Sequence, residues 1–182
     1  GKREMEQLSL TLVSNIFQFC FDHNIELEQN SADILNFFDQ IGQAGTLQQL
    51  KEIIGLFLTG IVRRLAAERE RNKIVQFALD YIKENYRHNI NLPMIAEQVN
   101  YSPSYLSFLF KQETGQNFVD YLNHYRIEQA KKLLRDTEAK NYEIAYQVGY
   151  QDEKYFYQIF KKYTGLTASQ YRESFRLSKK NS

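Results

Sequence analysis

The sequence predicts an all-α protein, in which two helix-turn-helix subdomains are joined by a connecting helix and preceded by a helical N-terminal segment. Three observations support this prediction. Apolar residues recur at intervals of three and four along most of the chain, no segment alternates apolar and polar residues between turn signals, and one helical unit is written twice. Only two prolines and eight glycines interrupt the 182 residues.

Composition and charge narrow the class of protein. Hydrophobic residues make up 43% of the chain, which is enough for a packed core. Cys20 is the only cysteine, which excludes an internal disulfide and a multi-cysteine zinc site. Residues 1–70 carry 6 Lys and Arg against 10 Asp and Glu, whereas residues 71–182 carry 17 against 12. The basic C-terminal part therefore fits a polyanionic partner.

The N-terminus and the apolar runs of the sequence indicate where the protein acts and whether the chain is part of a longer protein. No signal peptide is visible, and the longest apolar run, residues 53–62, is too short to span a bilayer. We therefore expect a cytoplasmic protein. Because the chain starts with Gly1-Lys2 and has no initiator Met, we also expect it to be part of a longer protein.

Three helices are predicted ahead of a polar stretch at residues 68–73, which is the expected boundary between a segment of residues 1–70 and a domain of residues 71–178. The first helix covers residues 4–22, the second residues 32–41, and Thr46 can cap the third. The expected inward faces are Leu8, Leu12, Ile16, Phe19 and Cys20 in the first helix, and Ile74, Phe77, Ala78, Tyr81 and Ile82 beyond the boundary.

The third helix carries a short heptad seam. Its apolar positions are Leu47, Leu50, Ile54, Phe57 and Ile61. A seam of this length is compatible both with a helix packed inside a small bundle and with a dimer contact. We therefore expect residues 1–70 to form a helical linker or dimerisation segment.

The repeat is the most informative feature. Residues 95–101, IAEQVNY, recur as residues 144–150, IAYQVGY, at an offset of 49. Phe110-Lys111 recurs as Phe160-Lys161 at an offset of 50, so one residue was gained in between. A small helical module used twice suits a repetitive target such as duplex DNA, which presents the same face at every helical turn.

Each copy has the anatomy of a helix-turn-helix, at about residues 91–115 and 141–165. In the first copy Asn91 and Ser102 are expected to cap the two helices, Asn100 to make the turn and Gly115 to end the second helix. In the second copy these positions include Gly149, Asp152 and Gly165. A helix within residues 117–136 is expected to join them, and about 18 residues at ~1.5 Å each give it a length of roughly 27 Å.

These residues carry a family resemblance. The stretches LPMIA, YSPSYLS, LFK and TG between residues 92 and 115, and Arg126, IA, VGY, YF, FKK and YR between residues 126 and 172, resemble the DNA-binding domain of AraC/XylS-type transcriptional regulators. The resemblance implies a bacterial, sequence-specific transcription factor with seven helices in this domain, which places two recognition helices in successive major-groove segments. The preceding segment resembles the helical stretch of YesN-type response regulators and of membrane-anchored relatives.

The resemblance also implies site residues. Base edges are expected to be read by Ser104, Ser107, Phe108, Glu153, Lys154, Tyr157 and Gln158. Phosphates are expected to be held by Tyr105, Lys111, Lys161 and Lys162, and Arg126 is expected to brace the two units. The family commonly has Arg at the positions of Phe108 and Gln158, so guanine reading is not expected there: Gln pairs better with adenine, and Phe can only touch thymine methyls or stack.

Other functions receive less support. No phosphate loop or nucleophile-base pattern occurs, and His23, His88 and His124 lie in separate segments, so we expect no enzyme, no cofactor and no metal. Expected partners are double-stranded DNA, RNA polymerase if the protein is an activator, and a second copy through residues 1–70. The alternative that remains is a helix-turn-helix module that binds protein.

Overall fold

The computed structural model describes residues 2–22 and 31–180, and over these ranges it is helical without a strand. The helices are α1 Lys2–Asp22, α2 Ser31–Gln43, α3 Leu47–Asn85, α4 Leu92–Gln98, α5 Pro103–Thr114, α6 Phe118–Asp136, α7 Asn141–Gln147, α8 Glu153–Thr164 and α9 Ala168–Lys180. Contacts divide the chain into two compact units, residues 1–70 and residues 71–182, and the division falls inside α3. The predicted all-α architecture is confirmed.

The first unit has a small core with aromatic side chains. Its buried side chains, within the described residues, are Ser9, Val13, Cys20, Phe37 and Leu50. The rings of Phe37 and Phe57 stack with their centroids 3.9 Å apart. As predicted, the Thr46 hydroxyl caps α3, accepting the backbone N–H of Gln49 at 3.1 Å.

The predicted inward face of α1 is wrong in part. Leu8, Leu12 and Phe19 are exposed and Val13 is buried instead, whereas Cys20 is buried as predicted. The apolar residues of this helix fit more than one stripe at helical spacing, and the first half of the stripe that packs lies one residue away from the predicted one. In α3, Leu47 of the predicted seam is likewise exposed, while Leu50 is fully buried.

The second unit contains two hydrophobic clusters that share α6. The end of α3, α4 and α5 pack on Phe118 and Leu122 near the start of α6. Helices α7, α8 and α9 pack on Ile127, Ala130 and Leu134 farther along α6. Because each helix-turn-helix is built on a different part of α6, this helix fixes their relative position.

One predicted core residue of this unit lies at the surface. Ile74, Ala78 and Ile82 are buried as expected, but Phe77 is exposed and Val75 is buried in its place. Val75, Ala78 and Ile82 are themselves at helical spacing, so the inward stripe of α3 is again displaced slightly from the predicted one.

Candidate nucleic-acid interface

The first helix-turn-helix is stabilised by helix-capping hydrogen bonds that the sequence predicts. The side-chain oxygen of Asn91 accepts the N–H of the residue three positions on at 3.0 Å, and the Ser102 hydroxyl does the same at 3.2 Å. Asn100, at the turn, has φ +57°, and Gly115 ends α5 with φ +72°. The caps and the two left-handed residues set where α4 ends and where the recognition helix α5 begins and ends.

The second helix-turn-helix repeats this plan with a longer turn. Five residues separate α7 from α8, whereas four separate α4 from α5. The residue gained in the repeat therefore lies in this turn, ahead of the Asp152 cap, whose carboxylate accepts the Lys154 N–H at 2.8 Å. Gly149 makes the turn with φ +95°, and Gly165 ends the recognition helix α8 with φ +75°.

Arg126 ties the first half of the domain to the second. From the middle of α6 its Nε donates to the carbonyl of Tyr86 and its Nη2 to the carbonyl of His88, both at 2.8 Å. Its guanidinium also lies over the ring of Tyr150, 5.3 Å from the centroid. Burial lowers the pKa of the guanidinium, but an arginine remains charged in a protein. The bracing role implied by the family resemblance is confirmed.

Gly149 permits the close approach that this brace needs. A Cβ at this position would lie 2.4 Å from the Tyr86 carbonyl oxygen and 3.0 Å from Nη2 of Arg126. Such a distance is well inside van der Waals contact. The turn of the second helix-turn-helix can therefore pack against the end of α3 only if position 149 has no side chain. The positive φ of Gly149 independently favours glycine.

A buried polar cluster beside the brace was not predicted. Asn123 accepts a hydrogen bond from the Tyr150 hydroxyl at 3.0 Å and donates to the Tyr155 hydroxyl at 3.4 Å. Burial raises the pKa of the Tyr150 phenol. One signal was available in the sequence, because Asn123 precedes Ile127 and Ala130 at helical spacing and so lies on the inward face of α6.

The recognition helices present matching outward faces. We call the face formed by Ser104, Phe108 and Lys111 the outward face of α5, and that formed by Lys154, Gln158 and Lys161 the outward face of α8; all six residues are exposed. Each set has the spacing i, i+4, i+7, so its members lie on one side of a helix.

The remaining candidate residues flank these faces. Ser107 and Tyr157 are exposed, and Glu153 is half-buried. Burial raises the pKa of the Tyr157 phenol and Glu153 raises it further, so this hydroxyl is a neutral donor. Tyr105 and Lys162 are exposed, with the Tyr105 ring 5.4 Å from that of Tyr101 and the Lys162 ammonium 5.6 Å from the ring of Tyr163.

Within residues 2–22 and 31–180 the structure shows neither a cluster of metal ligands nor a membrane-spanning helix. No three His, Cys, Asp or Glu side chains there are placed to hold a metal ion. No helix in the same ranges combines the length and the apolarity needed to cross a bilayer.

Comparison with known proteins agrees with this geometry. Residues 95–174 match a family of helix-turn-helix domains, over both repeated units. The chain is 45% identical to the crystallised C-terminal domain of the two-component response regulator YesN from Fusobacterium nucleatum, with a TM-score of 0.52, covering 53% of this chain and 95% of that one. The chain belongs to the AraC/XylS-type family of transcriptional regulators. The matched part is the DNA-binding domain of such a regulator, which is not a class of enzyme.

Two curated relatives extend the comparison. An uncharacterised HTH-type transcriptional regulator of Escherichia coli, YijO, is 38% identical over 96 residues, which are 53% of this chain and 34% of that protein. The lactose operon transcription activator of Staphylococcus xylosus is 36% identical over 109 residues, 60% of this chain and 39% of that protein. The chain thus spans little more than a third of the length of these relatives.

Proposed function

We propose that this chain regulates transcription by binding double-stranded DNA sequence-specifically through residues 71–178, with α5 and α8 in successive segments of the major groove. The arrangement of the two recognition helices supports this most directly. Both expose an outward face, and both are packed on one helix, α6, of 19 residues. At ~1.5 Å per residue α6 is about 28 Å long, comparable to the ~34 Å between major-groove segments on one face of DNA.

Roles for individual side chains follow from where they lie. In this proposal Ser104 and Phe108 of α5 and Lys154 and Gln158 of α8 meet base edges. The flanking side chains Ser107, Glu153 and Tyr157 do so as well. The exposed hydroxyl and ammonium groups of Tyr105, Lys111, Lys161 and Lys162 meet phosphates, which position the helices without carrying sequence information. The N-termini of α5 and α8 add backbone N–H donors for phosphate.

Electrostatics favour α8 as the stronger anchor. Within α8, Lys154, Lys161 and Lys162 outnumber Glu153, whereas in α5 the one lysine, Lys111, is balanced by one glutamate. Each lysine that neutralises a phosphate releases a counterion and steepens the salt dependence of binding. We therefore expect most of the salt-dependent affinity to come from the second helix-turn-helix.

We propose a different role for the N-terminal unit, residues 1–70. Residues 1–70 are acidic and leave several large apolar side chains exposed, among them Leu56, Leu58 and Val62 on α3. Acidic residues repel DNA, and an exposed apolar surface suits a protein partner. We propose that this unit supports homodimerisation, that an activating form contacts RNA polymerase, and that the protein acts in the cytoplasm.

A salt titration on random duplex, followed by selection of bound duplexes from a random pool, tests the proposal. DNA binding predicts a steep loss of affinity with salt, because phosphate contacts are lost, and a common motif among the selected duplexes. A module that binds protein instead predicts weak binding with a shallow slope and no motif. The variants Lys111→Ala and Lys161→Ala are each expected to lower the slope by about one unit.

A further inference from the structure

The side chain of Phe108 is mostly exposed to solvent. It is 62% exposed, the largest exposed fraction of any large apolar side chain among residues 71–176. No ring contact among the described residues involves it, although its neighbours on α5, Leu106 and Leu109, are fully buried. A phenyl ring in water on a recognition helix has apolar surface available for a ligand.

The internal repeat defines which surface this ring faces. Phe108 lies six residues after the Ser102 cap, and Gln158 lies six residues after the Asp152 cap. Each is flanked by exposed residues four positions before and three positions after it. These residues are Ser104 and Lys111 in α5, and Lys154 and Lys161 in α8. Phe108 is therefore the counterpart in α5 of the residue at the centre of the outward face of α8.

Only one base-edge group in the major groove matches a phenyl ring. Guanine, adenine and cytosine present hydrogen-bonding groups there, whereas thymine presents its C5-methyl group beside one acceptor. Phe108 can neither donate nor accept. We propose that Phe108 reads thymine through its C5-methyl group, so that the DNA box bound by α5 contains a thymine whose methyl group, and not its hydrogen-bonding edge, is recognised.

The rest of α5 is consistent with reading by contact. Its two charged residues, Lys111 and Glu113, cancel, and Ser104 and Ser107 are short hydroxyl side chains that allow close approach to the groove floor. Contact with the methyl group removes apolar surface from water and does not depend on salt. This inference rests on the proposed function, since it requires α5 to lie in the major groove.

Deoxyuridine gives a direct test, because it differs from thymidine only by the missing methyl group. The full chain is first used to select duplexes from a random pool containing thymidine. In the selected duplex each thymine of the first box is then replaced singly by deoxyuridine. At one position the wild-type chain should lose about fourfold in affinity, the factor that corresponds to ~0.8 kcal/mol for one methyl(ene) group.

The variant Phe108→Ala isolates the contact. It should bind the thymidine and deoxyuridine duplexes equally, while Gln158→Ala should bind more weakly but keep the fourfold difference at the first box. An unchanged thermal unfolding temperature shows that Phe108→Ala folds normally.

Two results overturn the inference. If the wild-type chain binds all deoxyuridine duplexes as well as the thymidine duplex while Phe108→Ala still weakens binding, the ring stacks or wedges between bases and does not read a methyl group. If deoxyuridine lowers the affinity of Phe108→Ala as much as that of the wild type, another residue reads the methyl group. Failure of the chain to select any duplex is a separate result, which would overturn the proposed function itself.

Discussion

Replacing Gly149 by alanine should destabilise the DNA-binding domain more than any other glycine replacement in it. A left-handed backbone costs a non-glycine residue ~1–2 kcal/mol. The new Cβ would also lie 2.4 Å from the Tyr86 carbonyl oxygen, so this backbone must move. Its 2.8 Å hydrogen bond from Arg126 would weaken or break, which costs a further ~1.5–3 kcal/mol for a charged donor. We expect a total loss of about 3–5 kcal/mol.

Gly165→Ala is a matched control. Gly165 has a similar positive φ, +75°, but a Cβ there meets no atom within 4 Å. It should therefore carry the backbone cost alone, ~1–2 kcal/mol. At roughly 4 °C per kcal/mol for a domain of this size, the unfolding temperature should fall by about 12–20 °C for Gly149→Ala and about 4–8 °C for the control.

Tyrosine fluorescence is the appropriate assay on the whole chain. All 13 tyrosines lie in residues 71–182 and the chain has no Trp, so the signal reports this unit alone. Equal losses for the two variants would mean that the close approach at Gly149 does not constrain the fold.

Three further predictions concern other parts of the molecule. Gln158→Ala should reduce the preference for one adenine by ~1–3 kcal/mol and leave the salt slope of binding nearly unchanged. Lys161→Ala should instead weaken binding to all duplexes alike and lower the slope by about one unit. If Gln158→Ala weakens binding to every duplex equally, Gln158 does not read a base. Arg126→Met should cost roughly 3 kcal/mol or more, since it removes two charge-assisted hydrogen bonds, and denaturation in urea that is unchanged from the wild type would contradict the brace. Sedimentation of the whole chain should show a dimer and that of residues 71–182 a monomer; two monomers at high micromolar concentration would leave the proposed dimerisation without support.

Local chemistry explains why much of this domain could be predicted from the sequence. Asn91, Ser102 and Asp152 each cap a helix as predicted, and Asn100 and Gly149 have the positive φ that their turns need. Each of these features depends on one or two residues and their immediate neighbours. A single sequence is therefore enough to recognise them.

Features that depend on packing between distant segments were harder to predict. The exposed Phe77 and the displaced stripe of α1 show that a helix with apolar residues on several sides has more than one plausible inward face. The acceptors for Arg126 are backbone carbonyls about 40 residues away, and carbonyls have no sequence signature. The proposed base and phosphate contacts remain predictions, because exposure alone does not distinguish a DNA contact from a solvated side chain.

If α5 and α8 bind DNA as a pair held by α6, the spacing of the two DNA boxes must determine the affinity. Starting from a selected duplex, five base pairs are inserted between the two boxes, which turns the second box to the opposite face of the helix. The affinity should then fall towards that of a duplex carrying one box. Unchanged affinity for the duplex with the insertion would show that α5 and α8 do not bind as a pair held by α6.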